Sequence, residues 1–167
     1  MLLAPHPVTL RPATSADDPL IRRLFSDSRA QDFAQLPGAD AAVQALIALQ
    51  FTAQAAMLTG RFPDARHEII VAGDLPVGRI LTTGQPDGIR LIDIAVSSEH
   101  QGQGIGTAVL TALLEHADAN GRTVHLSVWE LNERATRLYA RLGFTVTATD
   151  GGYHAMSRPT RAAGVAA

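Results

Sequence analysis

The stretch most able to do chemistry is HQGQGIGTAV, residues 100–109, in which Gly102, Gly104 and Gly106 alternate ahead of a helix-like run, TAVLTALLEHADANG. Glycines let a backbone approach a ligand with no Cβ in the way. The free N–H groups and the dipole of the helix behind them favour an anion. Three phosphate loops and one bland reading compete. A P-loop ends in Gly-Lys-Ser/Thr, and all fourteen basic residues of this chain are arginine, so it is excluded. A dinucleotide loop needs G-x-G-x-x-G, but the third position is Thr107 counted from Gly102 and Val109 counted from Gly104. Glu130, after the next apolar run, falls near where a ribose-binding acid would sit, so that reading is weakened rather than removed. A tight turn that binds nothing also remains open.

The elements that must position this loop can be read from periodicity. VTLRP, residues 8–12, reads as a strand, and SADDPLIRRLF starts a helix in which Ser15 or Asp18 caps and Pro19 fits the first turn. A second helix is expected over residues 40–58, with Val43, Leu46, Ile47, Phe51 and Met57 near one side and Gly60 and Pro63 closing it. HEIIVA and VGRILTT form a hairpin about Gly73-Asp74, and IRLIDIAV is a strongly apolar strand. The helix after the loop buries Ile105, Val109, Ala112, Leu113 and Ala117, widened by Leu110 and Leu114. Residues 123–128 form a strand, LNERATRLYARLGF a helix ending at Gly143, and FTVTATD with YHAMSR a last pair about Gly151-Gly152. The order β-α-α-β-β-β-α-β-α-β-β gives an α/β fold with helices covering a mixed sheet. Residues 89–128 should form a parallel crossover unit.

Composition bounds the function. The 167 residues suit one domain, residues 1–160, with a frayed tail over 161–167. Hydrophobic residues make up 46% and charged ones 18%, with net charge −2, so no global basic field favours nucleic acid. No run approaches 18 consecutive apolar residues, and MLLAPHPVTLRP is too short and proline-broken for a signal peptide. A cytoplasmic location without a membrane span is the default expectation. The absence of cysteine removes disulfides, thiolate nucleophiles and cysteine zinc sites, and the absence of lysine removes a Schiff base. The six histidines lack metal-ligand spacing, so no metal is expected.

Gln101-x-x-Gly104-x-Gly106 resembles the Q/R-x-x-G-x-G/A loop of the GNAT N-acetyltransferases. LIDIAV before the loop, and Asn132, Ala135, Leu138, Tyr139 and Gly143-Phe144 after it, fall where that superfamily has them. The match covers most of residues 8–158, strongly over 91–144 and weakly over 27–66. The resemblance implies a GNAT-like twisted mixed β-sheet of about seven strands flanked by about four helices, splayed between two central strands to hold acetyl-CoA. It implies that main-chain groups of Ile94, Ala95 and Val96 pair with the pantetheine arm, in the manner of an added strand. It places the pyrophosphate on the amides of Gln101, Gly102, Gln103, Gly104, Ile105, Gly106 and Thr107. Asn132, Ala135 and Tyr139 would line the cofactor, and among Arg134, Arg137 and Arg141 the last is the expected phosphate partner. Dimers are common in the superfamily, so a homodimer is among the expected assemblies.

The implied reaction is direct acetyl transfer from a thioester to a primary amine of a small molecule or peptide, with no covalent enzyme intermediate. Asn132 and Tyr139 are seven residues apart, nearly two helical turns, which puts them along one face with the small Ala135 between. Tyr139 is the expected proton donor to the thiolate. An alkylammonium is about one part in two thousand neutral at pH 7, so a base would help. Asp93, an acid inside an apolar strand, is one candidate, although it could instead bond to a neighbouring helix. Glu130 is the other. His125 and Trp129 read as packing residues. Phe33, Phe51 and Gln54 are candidate acceptor contacts. A non-catalytic CoA-binding module and a dinucleotide-dependent oxidoreductase are the alternatives.

Overall fold

The computed structural model of the chain describes residues 7–33 and 40–161; the side chain of Phe33 lies outside what is described, as do residues 162–167 of the expected tail. Seven strands, β1 (Val8–Pro12), β2 (Arg66–Ala72), β3 (Leu75–Gln85), β4 (Gly88–Val96), β5 (Thr123–Trp129), β6 (Thr145–Asp150) and β7 (Tyr153–Arg158), form one sheet. Its order is β1-β2-β3-β4-β5-β7-β6. Every neighbouring pair is antiparallel except β4 and β5, which are parallel. Four α-helices accompany the sheet: α1 (Asp18–Phe33), α2 (Asp40–Arg61), α3 (Ile105–Ala119) and α4 (Glu133–Arg141). This is the seven-stranded mixed sheet with four helices expected from the sequence, and α3 is the crossover between the parallel pair.

Strand alternation divides the buried side chains between two faces. Ile70, Val77 and Ile80 point to the face covered by α3, where Ile105, Val109, Leu110, Leu114 and Ala117 meet them. Ala112 of the expected α3 stripe is exposed instead, because the buried arc is centred one residue further round. Ile69 and Leu81 point to the opposite face, where Ile21, Leu24 and Phe25 of α1 are buried.

The helix starts differ from the sequence reading. Thr14, rather than Ser15 or Asp18, begins the turn: Asp17 Oδ2 accepts the Thr14 N–H at 2.9 Å, and Arg11 grips both Asp17 oxygens at 2.8 and 2.7 Å. The helix α2 runs past Gly60, and of its expected apolar side Ile47 is buried while Leu46 and Met57 are exposed. Phe51 meets Phe25 edge-on, with ring centroids 5.5 Å apart. The stretch Ala41–Arg61 holds no run of 18 consecutive apolar residues, yet by length and composition alone it is long and apolar enough to cross a membrane, with mean hydropathy 1.5 and 6% of it buried.

At the far side of the sheet Arg158 is buried and holds both oxygens of Asp118 at 2.8 Å, tying the end of β7 to the end of α3. The Arg161 amide donates to the same carboxylate at 2.8 Å. Arg158 first, and then the Arg161 amide, hold the Asp118 carboxyl well below the usual carboxylate range. A folded-state pKa below the unfolded value stabilises the fold above about pH 4, and that stability is lost as pH falls further. Thermal melts between pH 7 and pH 2 should therefore show Tm falling below about pH 4. Arg158→Met should lower Tm at pH 7 and lose less Tm than wild type between pH 4 and pH 2. Parallel curves for the two proteins would contradict the assignment.

Candidate active site

The parallel pairing of β4 with β5 covers three residues, Gly88, Ile89 and Arg90 against Thr123, Val124 and His125. Gly88 permits it: a Cβ there would collide with the Thr123 carbonyl. Beyond Arg90 the strands part, and the edge of residues 91–96 that faces β5 has no strand partner. The register of β4 against β3 also slips, because Leu81 pairs with Asp93 and the next residue, Thr82, with Leu91. The bulged Ile92 reverses the alternation, so Asp93 joins Leu81 on the α1 face. The gap between the strands is a cavity of about 210 Å³. It is lined by residues 91–94 and 126–129 of the two strands and by Asn132, Ala135 and Tyr139 from the α4 side.

The glycine loop follows β4 after a single 3-10 turn, Ser98–His100. Gly102 (φ 76°) and Gly104 (φ 80°) occupy left-handed backbone conformations that side-chain-bearing residues rarely adopt. They turn the chain so that the amides of residues 102–107 make no backbone hydrogen bond among the described residues. The Gln101 amide is spent on the Ser98 carbonyl at 3.4 Å, and its side chain donates to the Val96 carbonyl at 2.9 Å. Gln101 thus closes the strand end rather than offering its own groups. Gly106 has an ordinary helical backbone and no protein atom within 4 Å of where a Cβ would stand, so packing within the chain does not demand a glycine there. A row of unpaired amides with open space before it fits a phosphate of coenzyme A. Arg134 reaches the loop, 3.5 Å from Gln101 Oε1, whereas Arg141 lies exposed in the last turn of α4.

Asn132 does not lie within the helix, as the spacing with Tyr139 suggested. It is the N-cap of α4, its Oδ1 accepting the Ala135 amide at 3.1 Å. Both residues still line the cavity, since a cap and a residue two turns later share one side of a short helix. Tyr139 is buried against Phe144, ring centroids 5.7 Å apart, and its hydroxyl has no hydrogen-bond partner among the described residues. Burial, followed by the negative charge of Asp93, pushes its pKa up to about 12.

Asp93 is paired with a strand neighbour rather than with a helix. Arg79 Nε and Nη2 contact Asp93 Oδ2 at 2.9 and 2.8 Å, and Oδ1 carries no bond among the described residues. Arg79 is itself buried and lines a second cavity of about 430 Å³ between α1, α2 and the β2–β3 strands. The ion pair is thus the wall shared by both cavities. Phe51 and Gln54 line the larger one, as expected of acceptor contacts. His67 also lines it; burial and the charge of Arg79 hold its pKa below the usual histidine value, so its imidazole is neutral at pH 7, and its buried Nε2 has no partner among the described residues. Sequence reasoning missed both His67 and Arg79. Neither strand carries a local signal for them, and the register that puts His67 beside Leu81, and Leu81 beside Asp93, is tertiary. Glu130 is exposed, its amide bonded to the Gly152 carbonyl, and is not among the residues lining either cavity. His125 is half-buried against Ser157 at 2.9 Å, while Trp129, expected to pack, is 47% exposed.

A splayed parallel pair, a left-handed glycine turn and a capped helix with an inward tyrosine define a class. The model of the acetyltransferase (GNAT) family matches residues 39–144, and the chain belongs to that family. Among curated relatives it is 45% identical over 74 residues to a mycothiol acetyltransferase of Nocardiopsis dassonvillei, a segment covering 44% of this chain and 22% of that protein. It is 37% identical over 79 residues to the mycothiol acetyltransferase of Propionibacterium freudenreichii, covering 47% and 25%. The matched segments therefore span about a quarter of those relatives' length. Among solved structures, an acetyltransferase of Thermus thermophilus superposes with TM-score 0.63 at 26% identity, covering 95% of this chain and 98% of that one. The PaiA N-acetyltransferase of Thermoplasma acidophilum, solved with coenzyme A, shares the fold with TM-score 0.70 at 16% identity, covering 92% and 99%.

The position of Tyr139 beside Asp93 can be read spectroscopically. The chain has two tyrosines, so in a Tyr153→Phe variant the tyrosinate absorbance belongs to Tyr139 alone. It should rise only as pH approaches 12, and Asp93→Asn should bring it to lower pH. A rise centred near pH 10 in the folded protein would contradict the buried placement.

Proposed function

We propose that this chain transfers an acetyl group from acetyl-CoA directly to a primary amine, without a covalent enzyme intermediate. The carrying observation is a glycine loop with unpaired amides on the chain just after β4, the strand whose parting from β5 opens a cavity lined by Tyr139, whose hydroxyl has no hydrogen-bond partner among the described residues. In this reading acetyl-CoA supplies the activated acyl group. The amides of residues 102–107 hold its pyrophosphate, with Arg134 adding positive charge. The unpaired edge of β4, through Ile94 and its neighbours, holds the pantetheine arm and offers an N–H to the thioester oxygen.

A bond forms between the amine nitrogen and the acyl carbon, and the carbon–sulfur bond breaks. The amine loses a proton and the departing thiolate gains one, so the products are an amide and free CoA. Tyr139 stands where that second proton is needed. With its pKa near 12 against about 8.5 for a thiol, full transfer to give a standing tyrosinate would be uphill by about 5 kcal/mol. Tyr139 therefore works by donating a hydrogen bond to the sulfur, and the proton that turns the thiolate into free CoA is the one the amine loses. The acceptor's ammonium meets the open Oδ1 of Asp93. The neutral imidazole of His67, which lines the larger cavity, is a proton acceptor reached through water.

Calorimetric titration with acetyl-CoA should show binding, and Tyr139→Phe should lower kcat by about 100-fold while Kd changes by less than about three-fold. Equal losses in both would assign Tyr139 to binding. Gly106→Val should abolish acetyl-CoA binding without lowering Tm, because beyond its own helix no described atom stands within 4 Å of the new Cβ. Retained binding would remove the loop from the cofactor site. A protein that binds acetyl-CoA yet releases no CoA with any amine would be a binding module.

A further inference from the structure

The strand β5 sends Val124, Leu126 and Val128 into the α3-side core, so Trp129 stands on the other face with His125 and Ser127. That face is the one α1 and α2 cover, because Arg90 donates to Ser127 at 3.0 Å while lying 5.9 Å over the ring of Phe62, just after α2. Trp129 pairs directly with Tyr153 of β7. The two are 47% and 54% exposed at the open end of the splay. Directly opposed aromatic side chains have Cβ atoms close enough to touch, yet these two rings make no ring contact with each other among the described residues. The indole is held over the hairpin, its Nε1 being 4.0 Å from where a Cβ on Gly152 would stand. Neither ring is part of the core, and Trp129 also lines the thioester cavity with Asp93. An exposed aromatic pair continuous with a cavity marks a binding surface rather than packing.

We infer that Trp129 and Tyr153 form a platform for a planar apolar group carried by the acceptor, so that the preferred acceptors are primary amines bearing an aromatic ring. The inference rests on the acetyl-transfer reading for its reaction, and on the exposed rings for its ligand. The ring would lie on the platform while the ammonium reaches the carboxylate of Asp93 inside the gap. Aliphatic amines of similar length would use only the carboxylate and lose the stacking contribution.

The test compares phenethylamine with n-butylamine, each with acetyl-CoA. CoA release is followed with a thiol reagent, to which the cysteine-free protein contributes nothing. Wild type should favour phenethylamine by at least about ten-fold in kcat/KM, and the preference should fall below about three-fold in both Trp129→Ala and Tyr153→Ala. Tyr153→Ala should keep its acetyl-CoA affinity. A ratio near one in wild type, or a ratio unchanged in both variants, would overturn the platform while leaving acetyl transfer standing. If no amine releases CoA, the transfer reading fails, and the fluorescence of Trp129, the single tryptophan, decides the platform alone. Saturable quenching by phenethylamine but not by n-butylamine supports it, and no change overturns it.

Discussion

Everything at the site depends on where β4 and β5 stop pairing. A parallel ladder normally satisfies the backbone of both strands along their length. Here it holds for three residues, anchored by the close approach of Gly88 to Thr123, and then opens. The cost is a line of main-chain donors and acceptors on β4 with no strand to meet them. The bulge at Ile92 adds a reversal of alternation at the same point, which turns the carboxylate of Asp93 toward α1 and keeps the apolar side chains around it facing α3. An unpaired edge inside a sheet is a slot for an extended chain, and the glycine turn at its end offers amides for an anion. Both features are needed to take a ligand that is extended at one end and charged at the other.

The charges are arranged around that gap rather than within it. Arg79 is buried and lines the larger cavity, while its partner Asp93 lines the gap between the strands. The same carboxylate helps keep the Tyr139 phenol protonated, and its Oδ1 carries no bond among the described residues. Burial does the remaining tuning, holding Tyr139 as a donor and His67 as a neutral imidazole.

Much of this was legible from residues alone. Element order, the crossover around the glycine loop, and the convergence of Asn132, Ala135 and Tyr139 follow from periodicity and from residues whose backbone demands are local. Departures came where tertiary register decides. The helical spacing of Asn132 and Tyr139 placed them correctly on one side, but the asparagine proved to be a cap, because its side chain competes for the Ala135 amide. Arg134, not Arg141, reaches the loop, since the loop lies at the start of α4. Arg79 and His67 carried no local signature, as their meaning comes from strands fourteen and more residues away in the chain. Trp129 looked like packing because alternation gives two faces without saying which is covered.

Amide hydrogen exchange of β4, with and without acetyl-CoA, tests most directly whether the parting of the two strands is what the ligand uses. Residues 91–96 and the loop amides of 102–107 should become protected together on adding acetyl-CoA, while β1 and β2 exchange as before. Binding that leaves both segments unprotected would contradict the central role of the splay.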